Sequence, residues 1–136
     1  MTKLFLIIVL LSLPLFANEY VVVMSKDSPI NSIEKEDLKR LYLGKHIHIN
    51  GLFFKVLNQD IYKNPGSTFI KDITNMEPRT YLKWWIKQQI IGRGVAPHVK
   101  LNDKELIEEL INDKLNIGYI LRKSLTKELK VINIIK

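Results

Sequence analysis

Short runs of apolar residues alternate along this chain with segments in which apolar residues recur every three or four positions. Tyr20 to Met24, Phe53 to Leu57, Ile117 to Leu121 and Lys130 to Ile135 are brief and rich in β-branched or aromatic residues. Such composition and length are typical of buried strands, and we predict a β-strand in each of the four segments.

Four helices are predicted between these strands, each from its apolar spacing and from the residues at its ends. A cap residue followed three positions later by glutamate, proline in the first turn and glycine after the last turn are the signals used. The predicted boundaries are Asn31 to Gly44, Asn64 or Ser67 to about Met76, Pro78 to Gly92, and a last helix that begins at Asn102 with Glu105.

The alternation of strands and helices, with short connections, predicts an α/β fold. We expect a compact sandwich of helices around a mainly parallel or mixed sheet.

The first 17 residues have the layout of a signal peptide. Lys3 precedes an apolar stretch from Leu4 to Phe16, and Ala17 supplies a small residue for cleavage. The apolar stretch is shorter than the roughly 20 residues that a membrane span needs. We therefore expect cleavage after Ala17, which leaves residues 18–136 as one periplasmic domain with no integral membrane segment; an uncleaved anchor is the alternative.

The amino-acid composition limits the kinds of site and partner that the chain can have. The chain has no cysteine, which excludes disulfides, thiolate metal ligands and a lipoprotein anchor. The 21 basic and 14 acidic residues give a net charge of +7, or +6 once Lys3 is removed. This excess favours anionic partners, but the lysines are spread along the chain, and no nucleic acid is expected. Attraction to anionic lipid is a further interpretation of the charge.

Four segments, in order, carry a resemblance to a known family. They are LKRLYLGK at Leu38 to Lys45, VLNQD at Val56 to Asp60, TYLKWWIKQQIIGRG at Thr80 to Gly94 and NIGYI at Asn116 to Ile120. With these motifs the chain resembles the short, single-domain members of the phosphate transporter substrate-binding superfamily. The resemblance implies a fold like that of periplasmic binding proteins, a phosphate-like oxyanion as ligand, and a membrane transporter or sensor as partner.

The chain also departs from that family. Full-length phosphate receptors close two lobes over the ion with an arginine, an aspartate and a Ser-Gly-Thr at a helix start. Here Asn58 stands at the arginine position, Asp60 matches the aspartate, and Ser67 and Thr68 follow without the intervening glycine. These departures weaken the implication of high-affinity phosphate capture.

Candidate donors for an anion lie at two predicted loops. Backbone amides at Gly66, Ser67 and Thr68 open a helix, where free amide hydrogens and the helix dipole attract anions. Ser25 and Ser28, after the first strand, add hydroxyl groups. The competing interpretations are a solvated helix cap and ordinary turn residues.

Arg93 is the charged candidate, because the glycines on either side let the backbone approach a ligand while the guanidinium donates two hydrogen bonds. With Gly94 it completes the predicted site, in which Asp60 would either accept from a protonated oxyanion or organise the nearby donors. An exposed arginine after a helix, and a surface aspartate after a strand, are the alternatives. The hypothesis is one anion held by the first loop, the Ser67 helix start and Arg93.

Other residues leave the prediction unchanged. Trp84 and Trp85 point about 100° apart on a helix and cannot both face the same surface, and one is expected to fill the core with Tyr81. Core packing of both rings is favoured, and a partly exposed ring that contacts another protein is the alternative. His46 and His48 lack further metal ligands nearby, and neither a metal nor a cofactor is predicted. No catalytic motif is present, which favours a non-enzymatic binder; a protein-interaction or adaptor module that has lost ligand capture is the second functional class.

Overall fold

The structure is a computed structural model and describes residues 19–45 and 48–136. The predicted signal peptide and His46 lie outside the described residues. The helices are α1 (Lys35–Tyr42), α2 (Gly66–Thr74), α3 (Pro78–Ile90) and α4 (Asp103–Asn112). The strands are β1 (Tyr20–Ser25), β2 (Ser32–Glu34), β3 (His48–Ile49), β4 (Leu52–Phe53), β5 (Lys55–Asn58), β6 (His98–Val99), β7 (Asn116–Leu121), β8 (Leu129–Val131) and β9 (Asn133–Ile135).

A five-stranded mixed sheet forms the centre of the fold, in the order β6-β5-β7-β1-β8. Strands β6, β5 and β7 are parallel, and β1 runs antiparallel to both of its neighbours, β7 and β8. Two small sheets, β2 with β9 and β3 with β4, lie outside it. The predicted α/β fold with a mainly parallel or mixed sheet is confirmed.

Both faces of the central sheet are covered, which explains why its strands are continuous apolar runs. In β1, Val22 and Met24 belong to the core cluster shared with α1, α2 and α3, whereas Val21 and Val23 pack with Leu106 of α4. Successive side chains of a strand point to opposite faces. The segment YVVVM therefore contributes side chains to the cores on both faces of the sheet.

Local signals located several boundaries correctly. Strand β7 and helix α3 begin within a residue of the predicted positions, with Pro78 at the start of α3. Oδ1 of Asn102 accepts a hydrogen bond from the Glu105 amide at 3.0 Å, and the Glu105 carboxylate accepts one from the Leu101 amide at 2.9 Å. The reciprocal cap of α4 is confirmed.

Three predicted boundaries are wrong: pairing between distant segments overrides local preference at residues 31–34 and 130–135, and residues 52–53 form a local hairpin with residues 48–49. Asn31 does not cap α1; its Oδ1 accepts from Lys130 Nζ at 2.9 Å, while residues 32–34 pair with β9. The segment 53–57 divides at Phe54, which is buried although Phe53 is exposed. The segment 130–135 divides at Ile132, whose amide bonds Val22 of β1 before the chain leaves to pair with β2.

Helix α1 ends in a tight turn on a glycine, as predicted. Gly44 has φ +75°, its amide donates to the Leu41 carbonyl, and the Lys45 amide donates to the Arg40 carbonyl at 2.9 Å. This pair of bonds is the Schellman arrangement, which requires a left-handed residue at the glycine position. A Cβ at Gly44 would overlap Cη2 of Trp85, so the ring of α3 packs directly on the turn.

Replacing Gly44 by alanine is expected to destabilise the fold in two ways, by left-handed strain and by overlap with the Trp85 ring. We expect a loss of about 2 to 5 kcal/mol in the free energy of unfolding, of which about 1 to 2 kcal/mol is the backbone strain. Gly51→Ala is the matched control, because Gly51 has φ +74° and nothing within 4 Å of the added carbon. Urea unfolding of both variants measures the difference; equal losses would contradict a packing role for Gly44.

Candidate anion-binding site

Hydrogen bonds among polar side chains occupy the carboxyl end of β5. Asn58 is 2% exposed, and its Oδ1 accepts from the Tyr119 hydroxyl and, at 2.9 Å, from the Gln59 amide. Gln59 Nε2 donates to the Tyr119 carbonyl at 2.9 Å and to Asp103 Oδ1 at 2.8 Å. At the position where the family resemblance implies an arginine, this chain therefore has a buried amide whose acceptor is already in use.

Buried phenols surround Asn58. The Tyr42 hydroxyl donates to the Leu57 carbonyl at 2.7 Å, the Tyr81 hydroxyl donates to the Tyr42 carbonyl at 2.9 Å, and the Tyr119 ring stacks on Phe69. Burial raises the pKa of Tyr42, Tyr81 and Tyr119 above the ordinary value of a phenol. The phenols consequently remain neutral and act as hydrogen-bond donors.

The start of α2 offers fewer free donors than the sequence indicates. The Ser67 amide donates to the Lys63 carbonyl at 2.9 Å, so the expectation of an unpaired amide at Ser67 is wrong. The Ser67 and Thr68 hydroxyls both donate to Asn64 Oδ1, at 3.2 and 2.7 Å. Neither Asn64 nor Ser67 caps a backbone amide of the helix. The side chains of this turn are thus bonded to one another.

Gly66 and Asp60 are in contact at this turn, since a Cβ on Gly66 would overlap the Asp60 carbonyl oxygen. The Asp60 carboxylate accepts from the Tyr62 amide at 2.9 Å. Asp60 therefore organises its own loop, and its negative charge next to the helix start opposes anion binding there.

The first loop is a compact turn. Ser25 Oγ accepts from the Asp27 amide at 3.2 Å, while Ser28 Oγ contacts Met24 Sδ at 3.2 Å and accepts from the Ile30 amide at 3.4 Å. Both serines are buried. These bonds are those of ordinary turn residues.

Arg93 and Gly94 line a different concavity, which we call the Arg93 hollow. It has a volume of about 580 Å³. The residues that line it are Leu43, Gly44, Lys45, Trp84, Gln88, Gly92, Arg93 and Gly94. Two basic residues from distant parts of the sequence meet there, with glycine backbone on either side.

The same backbone motif places both cations. The Arg93 amide donates to the Gln88 carbonyl at 2.8 Å and the Gly92 amide to the Gln89 carbonyl at 3.2 Å, with Gly92 at φ +72°. These two bonds form the same Schellman arrangement that ends α1 at Gly44 and Lys45. Each basic residue follows the left-handed glycine that ends a helix, and the packing of α3 on α1 brings the two ends together.

The strand directions separate the residues that were predicted to share one ligand. Asp60 and the α2 start follow the carboxyl end of β5. Gly94 precedes His98 by four residues, and His98 pairs with Leu57 on the parallel strand β5, so the chain at Gly94 lies towards the amino end of β5. The two ends of β5 are about 10 Å apart. Ser25 ends β1, which runs antiparallel, and two strand spacings separate β1 from β5. The described residues thus place the candidates in three regions; their binding roles stay predictions.

Charge distinguishes these regions. The Arg93 hollow contains two cations. The carboxyl ends of α1 and α3 each add roughly half a negative charge, which offsets part of the positive charge. The α2 start combines the partial positive charge of the helix with opposite full charges on Asp60 and Lys63. Ion pairs of residues 19–45 and 48–136 join Lys71 to Glu77 and Lys100 to Glu109, and include neither Lys45 nor Arg93. The hollow is therefore the more positive of the two.

Sequence reasoning identified Arg93 and Gly94 but missed Lys45 and Gln88. Lys45 belongs to the Leu-Gly-Lys motif, and Gln88 follows Trp84 by one helical turn. The matching Gly-basic pattern after two helices was the signal that could have joined Lys45 to Arg93. Trp85 is buried, as expected for a ring that fills the core. Trp84 is half-buried, with its indole donating to the Leu43 carbonyl at 3.2 Å, so the favoured core packing of both rings is confirmed for Trp85 alone.

His48 lies in β3 with its ring against Phe53. Within the described ranges, no group of three or more histidine, aspartate or glutamate side chains is placed to hold a metal ion. Among the helices that the structure describes, none combines the length and the apolar composition of a bilayer span.

Comparison with known proteins places the fold. No protein-family model matches the chain, and a search of curated proteins finds no match. Solved structures with the same fold include an ABC-type phosphate transport receptor from Vibrio cholerae, at TM-score 0.64 and 14% identity, over 85% of this chain and 45% of that one. PstS from Borrelia burgdorferi matches at TM-score 0.60 and 19% identity, over 85% of this chain and 46% of its own.

The predicted likeness to phosphate transporter substrate-binding proteins is therefore confirmed as a likeness of fold. The chain spans less than half the length of these structures.

The buried phenols make stability depend on pH. Because folding raises their pKa, the unfolded chain releases these protons first, and the unfolding free energy falls as pH rises above 10. Each phenol contributes a slope of about 1.4 kcal/mol per pH unit there. Tyr81→Phe is expected to reduce the slope of urea-unfolding free energy against pH by about that amount. Tyr62→Phe, at an exposed residue outside the cluster, is the control; an unchanged slope in Tyr81→Phe would contradict the burial of its phenol.

Proposed function

We propose that this chain is an exported, periplasmic solute-binding-like protein that binds a small oxyanion such as phosphate in the Arg93 hollow. The observation that carries this proposal is that Lys45 and Arg93, in no ion pair with another described residue, share one concavity. The likeness of fold to phosphate transport receptors supports it. Residues 1–17 act as the signal peptide in this proposal, and residues 18–136 form the exported domain.

The hollow offers the types of donor that an oxyanion needs. The Arg93 guanidinium can donate two parallel hydrogen bonds to adjacent oxygens, and the Lys45 ammonium adds a compact charge. Gln88 contributes a side-chain amide, and Gly94 lets the ion approach the backbone. The site holds and releases the ion unchanged, as a receptor for a membrane transporter or sensor would.

The open form of the hollow predicts modest affinity. Both cations are exposed, so water and salt screen their charges. The helix carboxyl ends cancel roughly half of the added positive charge. We therefore expect binding at millimolar concentrations that weakens as salt increases.

Arg93→Ala is expected to weaken phosphate binding by one to two orders of magnitude, because it removes charge-assisted hydrogen bonds worth about 1.5 to 3 kcal/mol. Isothermal titration calorimetry measures the affinity. Arg79→Ala is the matched control, since Arg79 is an exposed arginine in the first turn of the same helix that leads to the hollow. Equal affinities of the Arg93 and Arg79 variants would show that the ion does not bind in the hollow.

The paired variant Ser67→Ala with Thr68→Ala distinguishes the hollow from the α2 start. Binding in the hollow leaves the affinity of this variant unchanged, because both hydroxyls bond Asn64 at a distant part of the fold. A loss in this variant together with normal binding by Arg93→Ala would instead assign the ion to the α2 start. The absence of heat with phosphate and sulfate at millimolar concentration would contradict oxyanion binding altogether.

A second function, a non-catalytic protein-interaction or adaptor module, is favoured by one surface. Leu82, Ile86 and Ile90 recur every four residues along α3 and are exposed, as are Val99 in the short strand β6 and Leu101 after it. Aliphatic rows of this kind are typical of contact surfaces.

A photocrosslinker at position 86 in living cells, with position 127 as an exposed control, tests the adaptor function. Protein adducts from position 86 alone would support it, and equal labelling from both positions would count against it.

A further inference from the structure

The outer side of α3 carries a row of exposed aliphatic side chains. Leu82, Ile86 and Ile90 follow one another every four residues, which places them on one side of the helix. Tyr81 and Gln88 are buried, and they lie about 150° around the helix from Ile86. We call the row of three aliphatic residues the α3 face. Because the opposite side of α3 packs into the fold, the α3 face is presented outwards as one continuous strip.

The strip is wider than the helix at one end. Leu82 lines a concavity of about 440 Å³ with Val99 and Leu101, which are exposed as well. Asp60 and Lys63 also line this concavity, and their opposite charges offset each other. The aliphatic surface therefore extends from α3 to the segment around β6 without a net charge at that end.

Lysines border the other side of the α3 face. Lys83 and Lys87 follow Leu82 and Ile86 by one position each, about 100° further around the helix, and both are exposed. Neither lysine belongs to an ion pair of the residues that the structure describes. No acidic residue occurs at positions 78–102 of the sequence. One flank of the face is thus positively charged, and α3 has no carboxylate to neutralise it.

This combination of side chains suits a lipid surface better than a protein. A helix that lies at a membrane surface places aliphatic groups in the bilayer boundary, while the stems of its lysines extend along apolar groups and the ammonium groups reach the headgroups. Protein interfaces are instead depleted of lysine and anchored by aromatic residues. The indoles of Trp84 and Trp85 donate to carbonyls at the end of α1. A second copy of this chain would bring the same lysines against one another.

We propose that the α3 face binds the surface of an anionic lipid bilayer. Leu82, Ile86 and Ile90 enter the boundary between headgroups and acyl chains, and Lys83 and Lys87 contact lipid phosphates. The helix lies along the membrane without crossing it, since α3 has 13 residues and a span requires about 20. The surface that favours the adaptor function thereby receives an occupant of a different class.

Lipid contact leaves the Arg93 hollow open. Trp84 and Gln88 line the hollow, and on the helix they lie on the side of α3 away from Ile86. The membrane contact therefore neither requires nor blocks an oxyanion in the hollow, and the two proposals succeed or fail separately.

A fluorophore on the α3 face tests the contact directly. Because the chain has no cysteine, one introduced cysteine can carry an environment-sensitive dye at a chosen position. Ile86→Cys labels the face, and Ile111→Cys is the matched control, since the two isoleucines are 48% and 46% exposed and the charged residues of α4 are mainly acidic. Vesicles of equal parts phosphatidylglycerol and phosphatidylcholine are expected to shift the emission to shorter wavelength from position 86 alone.

The label reports only its own surroundings, so lipid contact by residues 1–17 does not produce the expected shift. An unchanged spectrum at position 86, or equal shifts at positions 86 and 111, would overturn the proposal. Vesicles of phosphatidylcholine alone are expected to give a weaker response, and an equal response would contradict a role for anionic lipid.

The charge requirement is tested by paired lysine variants of the labelled protein. Lys83→Gln with Lys87→Gln is expected to weaken binding to the anionic vesicles about 25-fold, since each basic residue at an anionic surface contributes about fivefold. Lys26→Gln with Lys127→Gln is the control, because both lysines are exposed beside β8, at the opposite edge of the central sheet from β6. Equal losses in the two pairs would show that net charge alone attracts the chain to lipid, which contradicts a specific face.

A protein occupant predicts another result. Protein adducts from the photocrosslinker at position 86, together with no spectral response to anionic vesicles, would overturn the lipid contact and support the adaptor function. Phosphate binding measured by calorimetry is expected to be unchanged in the Lys83 and Lys87 variant. Failure of the lipid contact therefore leaves the oxyanion proposal to be judged by its own variants.

Discussion

The carbonyl groups at the end of α1 are the constraint on which the arrangement of this molecule depends. A helix leaves its last carbonyls without partners inside the helix, and burying them unpaired is costly. Here the Tyr42 carbonyl accepts from the Tyr81 hydroxyl and from the Trp85 indole, and the Leu43 carbonyl accepts from the Trp84 indole. Three aromatic side chains of α3 thus satisfy the end of α1, which fixes α3 against it.

This contact positions the Arg93 hollow. With α3 held on the end of α1, the turn after α3 lies beside the turn after α1, and Arg93 comes next to Lys45. The same Trp85 ring that packs on Gly44 also lines an apolar cavity beside the hollow, with Leu41 and Phe54. The basic hollow and the apolar cavity beside it therefore share one structural cause.

Features that depend on neighbouring residues were predictable from the sequence, whereas features that depend on partners far along the chain were not. The Asn102 cap, the start at Pro78 and the turn at Gly44 each involve a few adjacent residues, and local rules located them. The pairing of residues 32–34 with the last strand joins segments about a hundred residues apart, and it displaced the expected Asn31 cap. The antiparallel direction of β1 also depends on pairing between distant segments. It places Ser25 at the opposite edge of the sheet from the carboxyl end of β5.

The candidate site shows the same division. The glycines on either side of Arg93 were enough to identify a basic residue in a loop whose backbone can approach a ligand. The same pattern does not show which residue faces Arg93 across the hollow. Lys45 is 48 positions earlier in the sequence, and only the packing of α3 on α1 brings it close. The buried Asn116 acceptor carries no sequence signal at all, because an asparagine at a strand start reads as an ordinary boundary residue. The absence of a hydrogen bond to Asn116 Oδ1 among the described residues is a property of the folded chain.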